Sequence, residues 1–225
     1  MDFGASIASA VSGTVSSRCK EALVPASTDR FHENVVRVRN LLDLYDQLGN
    51  GRRGRRLTHV TDILRAAVVL LHASLEEFLR EVDRERLPQA GSQALNVVPV
   101  SGTGPRLERF QLGALTPFRG QTIDELIATS VAEHLERSNW NNNRDIINSL
   151  RMHGIDTDGL QVNWGGLAQL MERRHHIVHQ TDRNPVVGRG RPRAQPISAG
   201  TVSRWTADVE RFVNEVSLVL QPSAP

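Results

Sequence analysis

Residues 167–184, LAQLMERRHHIVHQTDRN, crowd three arginines, three histidines and two acids into one stretch of helical pattern. Leu167, Leu170, Met171, Ile177 and Val178 mark a side that a helix would bury, which leaves Arg174, His175, His179 and Asp182 for a cleft or surface. Arginine carries a permanent charge on a planar fork that fits phosphate oxygens, and histidine moves a proton near neutral pH. Arg174 and His179 are therefore the candidate reaction centre. They are five residues apart, about 140° around an ideal helix, so one helix alone does not stack them. A second helix, or the same helix of a two-fold related copy, has to complete the groove. There the guanidinium would neutralise a scissile RNA phosphate while the histidine assists proton transfer.

Two other readings of the same residues compete. In the first, Arg174 and His179 only stabilise helix packing or a dimer. Alternatively, His175, His179 and Asp182 share a helical face in an HxxxHxxD arrangement that offers metal ligands. The chain has no HExxH signature, no cysteine pair and no matched distant ligand, so neither a stable catalytic metal nor another cofactor is expected. His176 falls in a different angular sector and reads as structural.

The reactive helix, expected over about 163–182 and ended by Pro185, needs other helices to hold it. The strongest is 58–86, whose Ile63, Leu64, Ala67, Val68, Leu71, Leu75, Phe78, Leu79 and Val82 form an apolar surface broad enough for the centre of a bundle or a subunit interface. His72 lies one turn before Glu76 on it. The pair reads first as a partly buried structural histidine with its hydrogen bond satisfied. A helix is expected at about 29–48 after a break at Pro25, and another behind the capping box Thr122/Glu125 at 121–137. Asn143 is placed to cap a short helix ending at Gly154, and TVSRWTADVERFVNEVSLVL closes the chain with a continuous apolar face. Residues 88–120, rich in Gly and Pro, read mostly as loop with a helical turn. No internal repeat or helix–strand alternation is evident, and the fold class is all-α, a helical bundle with long loops. Residues 1–28 form an extension or peripheral helix, 29–220 the domain and 221–225 a tail.

Charge narrows the ligand. The net charge is only +2, yet Lys20 is the sole lysine, so nearly all positive charge is arginine. That composition suits geometric recognition of phosphate better than indiscriminate polycation binding. Two runs are locally basic: GRRGRR at 51–56, with Arg52, Arg53, Arg55 and Arg56, and RNPVVGRGRPR at 183–193, with Arg183, Arg189, Arg191 and Arg193. Both are candidates to hold RNA, as is Arg173, with loop solubility as the plainer reading. The lone Cys19 has no internal disulfide partner, no apolar run approaches the ~20 residues of a membrane span, and the opening residues lack the pattern of a secretory signal. A cytoplasmic protein is expected.

The run Arg174, His175, His176, Ile177, Val178, His179 resembles the motif of the HEPN superfamily of helical RNases and nucleotide-binding proteins. RRHHIVHQTDRN looks like the variant carried by RiboL-PSP-HEPN and related groups in bacterial defence or toxin systems, and RAAVVLLHASLEEFLRE resembles their early core helix. The resemblance implies a HEPN-like bundle over 29–220, a symmetric homodimer and an antitoxin or defence-system protein as partner. It implies catalytic roles for Arg174 and His179, with His175 supporting them. Glu76 or Glu77 would supply an acid near the site, and Asp182 would tether the end of the reactive helix. The implied reaction is metal-independent endoribonucleolytic cleavage by RNA's 2'-hydroxyl. An inactive RNA-binding or antitoxin-like HEPN protein is the non-enzyme alternative.

Overall fold

The computed structural model describes residues 23–49, 58–101, 112–183 and 194–221 of the 225-residue chain. Its elements are α1 (Leu23–Gly49), α2 (Thr58–Arg86), α3 (Ser92–Leu95), α4 (Ile123–Arg137), α5 (Asn143–Met152), α6 (Trp164–Gln180) and α7 (Ala199–Leu220), with 3-10 turns at Leu87–Gln89 and Leu112–Phe118. The described residues form an all-α bundle, as the periodicity predicts. No helix among them is long and apolar enough to cross a membrane.

The long helix α2 is the centre. Leu64, Ala67, Val68, Leu71, Leu75, Phe78, Leu79 and Val82 are all buried, and α1, α4, α6 and α7 pack around them. Helix α1 contributes Phe31, Val35, Val38, Leu42 and Tyr45, and α7 contributes Val202, Trp205, Val209, Phe212, Val213, Val216 and Leu220. These spacings of three and four residues put each set on one helical face, so burying the face removes it from water as a unit. Helix α6 enters the same core through Leu167, Leu170 and Met171.

The helix ends differ from expectation in informative ways. Helix α1 starts at Leu23, so Pro25 lies inside its first turn and does not break it. Proline is tolerated there because the amide it lacks would have no partner in the helix. At α5 the cap is Asn142, whose side chain accepts from the Asp145 amide at 3.0 Å. Asn143 instead donates to the Trp164 carbonyl at 2.7 Å, tying the start of α5 to the start of α6. The Thr122/Glu125 capping box forms as predicted. Part of the Gly- and Pro-rich stretch is more ordered than expected, folding as α3 and a 3-10 turn that contains Pro117.

Truncating the centre of α2 should be costly. Leu71→Ala removes a side chain with 0% exposure and is expected to lower unfolding stability by about 2–5 kcal/mol in urea denaturation. Val219→Ala, on the exposed side of α7, should stay within about 0.5 kcal/mol of the parent.

Candidate active site

Between positions 65 and 83, α2 carries four polar residues on an otherwise apolar face: Arg65, His72, Glu76 and Asp83. Spacings of seven, four and seven residues place them within about 40° of one another on an ideal helix. They form a stripe along the side packed against α6 and the α4–α5 region. A partner is favoured at each, because an unpaired buried polar group costs more than a hydrogen bond returns.

Arg65 finds Asp182. Its Nε donates to Asp182 Oδ2 at 2.6 Å, and a second nitrogen donates to the Gln195 carbonyl at 2.9 Å. Arg173 joins from α6, donating to the same Asp182 oxygen at 2.8 Å and to the Gln195 side-chain and backbone oxygens at 2.5 and 3.0 Å. The Gln195 amide then donates to the Asp182 carbonyl at 2.8 Å, and Arg183 and Ala194 form an antiparallel bridge. This clasp joins α2, the end of α6 and the chain returning toward α7. Burial pulls the Arg173 pKa down, Asp182 opposes that shift, and the neighbouring Arg65 adds to it.

The clasp explains how α6 ends. Thr181 and Asp182 both take left-handed backbone angles, φ 50° and 53°, and the Asp182 amide reaches back to the His176 carbonyl at 2.9 Å. Non-glycine residues at such angles cost roughly 1–3 kcal/mol each and persist only when their surroundings hold them. Here the buried carboxylate between two guanidiniums does so. The helix therefore stops at Gln180, before Pro185, and Asp182 turns inward with 1% exposure. Asp182 is thus off the helical face of His175 and His179 and does not complete an HxxxHxxD ligand set. No group of three or more metal-ligating side chains occurs among the described residues.

Arg174, one residue after Arg173, stands in contrast. It is half-buried and makes no hydrogen bond or ion pair among the described residues, and its charge is felt by Glu76 on the stripe. Burial alone would raise the Glu76 pKa; the contact and charge of His72, the Trp140 amide at 3.5 Å and the charge of Arg174 outweigh it and hold the carboxyl below its ordinary value. His72 lies behind, 1% exposed, with Nδ1 3.4 Å from Glu76 Oε2. It is more deeply buried than the sequence suggests, and neither ring nitrogen has a hydrogen-bond partner. Glu77 is on another side of α2, facing α1 through Arg30 at 3.4 Å and Asn34 at 3.3 Å. Of the two acids, Glu76 is the one whose carboxyl is held down in part by the charge of Arg174.

His175 and His179 are exposed on the outer face of α6, their ring centroids 4.8 Å apart. Val178 lies between them in sequence and is 45% exposed, off the buried side on which the periodicity puts it. His176 is engaged elsewhere, 2.8 Å from Gln180 Oε1 and 3.8 Å from Glu172. Arg183 is exposed at the root of the basic run. Arg52, Arg53, Arg55, Arg56, Arg189, Arg191 and Arg193 lie outside the described residues. Arg173, expected on RNA phosphate, instead directs its guanidinium to Asp182 and Gln195.

Arg65 and Gln195 were not singled out from sequence. The available signal was the polar stripe at 65, 72, 76 and 83, visible only if the exceptions to an apolar face are tracked along with the face itself. Removing the shared acid tests the clasp. Asp182→Ala leaves Arg65 and Arg173 buried beside each other, and a loss of about 3–5 kcal/mol is expected by urea denaturation. A loss below about 1 kcal/mol, the range of exposed ion pairs, would show that the clasp holds little.

No curated protein and no solved structure matches this chain. The family model of RiboL-PSP-HEPN does match, over residues 32–221, which run from within α1 to the end of α7 and contain both the polar stripe and the Arg174–His179 motif. The chain belongs to the RiboL-PSP-HEPN family.

Proposed function

We propose that this protein is a metal-independent endoribonuclease that works as a symmetric homodimer in a bacterial toxin or defence system. The observation that carries the proposal is the uneven use of side chains at the end of α6. Arg173 and Asp182 are committed to internal bonds, while Arg174, His175 and His179 make no hydrogen bond or ion pair among the described residues. A guanidinium kept out of internal pairing on a half-buried face is available for phosphate, and the exposed imidazoles are available for proton transfer. Family membership supports the same roles.

In this reading His179 takes the proton from a ribose 2'-hydroxyl, whose oxygen attacks the adjacent phosphorus. The bond from phosphorus to the 5'-oxygen breaks, that oxygen gains a proton, and the products are a 2',3'-cyclic phosphate and a 5'-hydroxyl. Arg174 stabilises the charge on the non-bridging oxygens, His175 supports it, and Glu76 contributes a nearby negative charge that the guanidinium feels. DNA lacks the attacking hydroxyl. Val178, exposed beside the imidazoles, supports a twin helix packing across this face and completing the groove. Arg183 and the arginines of the 51–56 and 183–193 runs hold the strand, and an antitoxin or defence-system protein is the cellular partner.

The test is cleavage of RNA in excess EDTA. Arg174→Ala and His179→Ala should each lose roughly 10²–10⁴-fold in rate while remaining folded. Cutting that requires added metal, or equal cutting by the variants, would overturn the mechanism; RNA binding with no cleavage by the parent would favour an inactive binding protein.

The acid limb of the pH profile gives a second check. A carboxyl with a lowered pKa keeps its charge on acidification until the pH falls through that lowered value. Glu76 therefore stays ionised across the range in which imidazole gains its proton. Glu76→Gln should lower the rate yet leave the acid limb in place, and a limb that moves with this substitution would assign it to Glu76.

A further inference from the structure

His175 and His179 form a pair that proton transfer by one histidine does not by itself require. They are one helical turn apart on an exposed face, with ring centroids at 4.8 Å and planes inclined by 45°. Neither imidazole makes a hydrogen bond or ion pair among the described residues, whereas the third histidine of the run, His176, is held by Gln180 and Glu172. Two imidazoles at i and i+4 can bring a ring nitrogen each to a single ion from one side of a helix. Imidazole suits Cu2+, Ni2+ and Zn2+; Mg2+ and Ca2+ require oxygen ligands. The acid that would have made this an oxygen-bearing site, Asp182, is buried against Arg65 and Arg173.

We propose that His175 and His179 are a two-imidazole chelate for borderline transition-metal ions, and that filling it switches the ribonuclease off. The binding half stands on the geometry alone, and the inhibition half rests on the function proposed above. A ring nitrogen bound to a metal has no lone pair with which to take a proton, so a metallated His179 is lost to proton transfer. The ion also occupies the face on which the scissile phosphate must sit. The site is regulatory, with the metal opposing the reaction, and the nearby positive charge of Arg174 tempers its affinity. A chelator should then raise the activity of protein that has met trace zinc.

Binding is measured first, without RNA, by calorimetric titration of Zn2+ into the metal-free full chain. One ion per chain is expected. His175→Gln and His179→Gln should each weaken binding roughly tenfold or more, since even outer contacts to a metal ligand are worth 10–100-fold. His176→Gln should bind like the parent, and Mg2+ should give no binding heat. Zn2+ binding that survives both substitutions, or that follows His176, overturns the site whether or not the protein cuts RNA. Cleavage is measured second: Zn2+ should inhibit the parent and EDTA should restore it. The residual activity of His175→Gln should be insensitive to the same Zn2+ concentration. Binding at the pair without inhibition would overturn the regulatory half, and absence of any cleavage would count against the function proposed above while leaving the calorimetry decisive for the site.

Discussion

A polar stripe on a buried helix calls for partners from the chain around it, and that constraint shapes the side of the bundle where the candidate site lies. Arg65, His72, Glu76 and Asp83 ride on the same helix that supplies the largest share of the apolar centre. Burying α2 for its leucines carries these groups out of water too. The rest of the chain answers with Asp182 and Gln195 opposite Arg65, the Trp140 amide opposite Glu76, and Ser149 and His153 on Asp83 at 2.6 and 2.5 Å. Three separate segments are thereby fixed against one helix by directional bonds, where apolar packing alone would let them slide. The answer is incomplete at His72 and at His153 Nδ1, which have no hydrogen-bond partner.

This arrangement separates two neighbouring arginines by function. Arg173 and Arg174 are adjacent and chemically alike, yet about 100° of helix rotation puts one into the clasp and leaves the other toward Glu76. The first is structural charge, neutralised by Asp182. The second makes no hydrogen bond or ion pair among the described residues, and its charge is felt by Glu76. The imidazoles at His175 and His179 lie beyond the stripe, where solvent reaches both rings.

Much of the fold could be read from the order of residues because its helices are amphipathic and their caps use ordinary chemistry. The broad apolar side of α2, the Thr122/Glu125 box and the closing helix follow from spacing alone. The Arg174–His179 motif was legible for the same reason, since residue types and intervals survive in one dimension. The fate of Arg173 and Asp182 was not. Helical spacing puts Asp182 on the histidine face, and only the left-handed turn at Thr181 and Asp182, held by a residue 117 positions away in sequence, removes it. Glu76 and Glu77 were equally eligible on paper. Which acid feels the charge of Arg174 depends on how α2 is rotated between α1 and α6, and that rotation is set by the whole core.

The bridge between Arg183 and Ala194 has a corollary for the chain between them. Both anchors of the intervening ten residues are fastened to α2 and α6 through the Asp182 carbonyl, the Gln195 backbone and two guanidiniums, so the two ends are held together independently of the chain that joins them. Loop-closure entropy changes only slowly with length once the ends are fixed. Lengthening, shortening or recoding residues 184–193 therefore leaves the two ends they join fastened to α2 and α6.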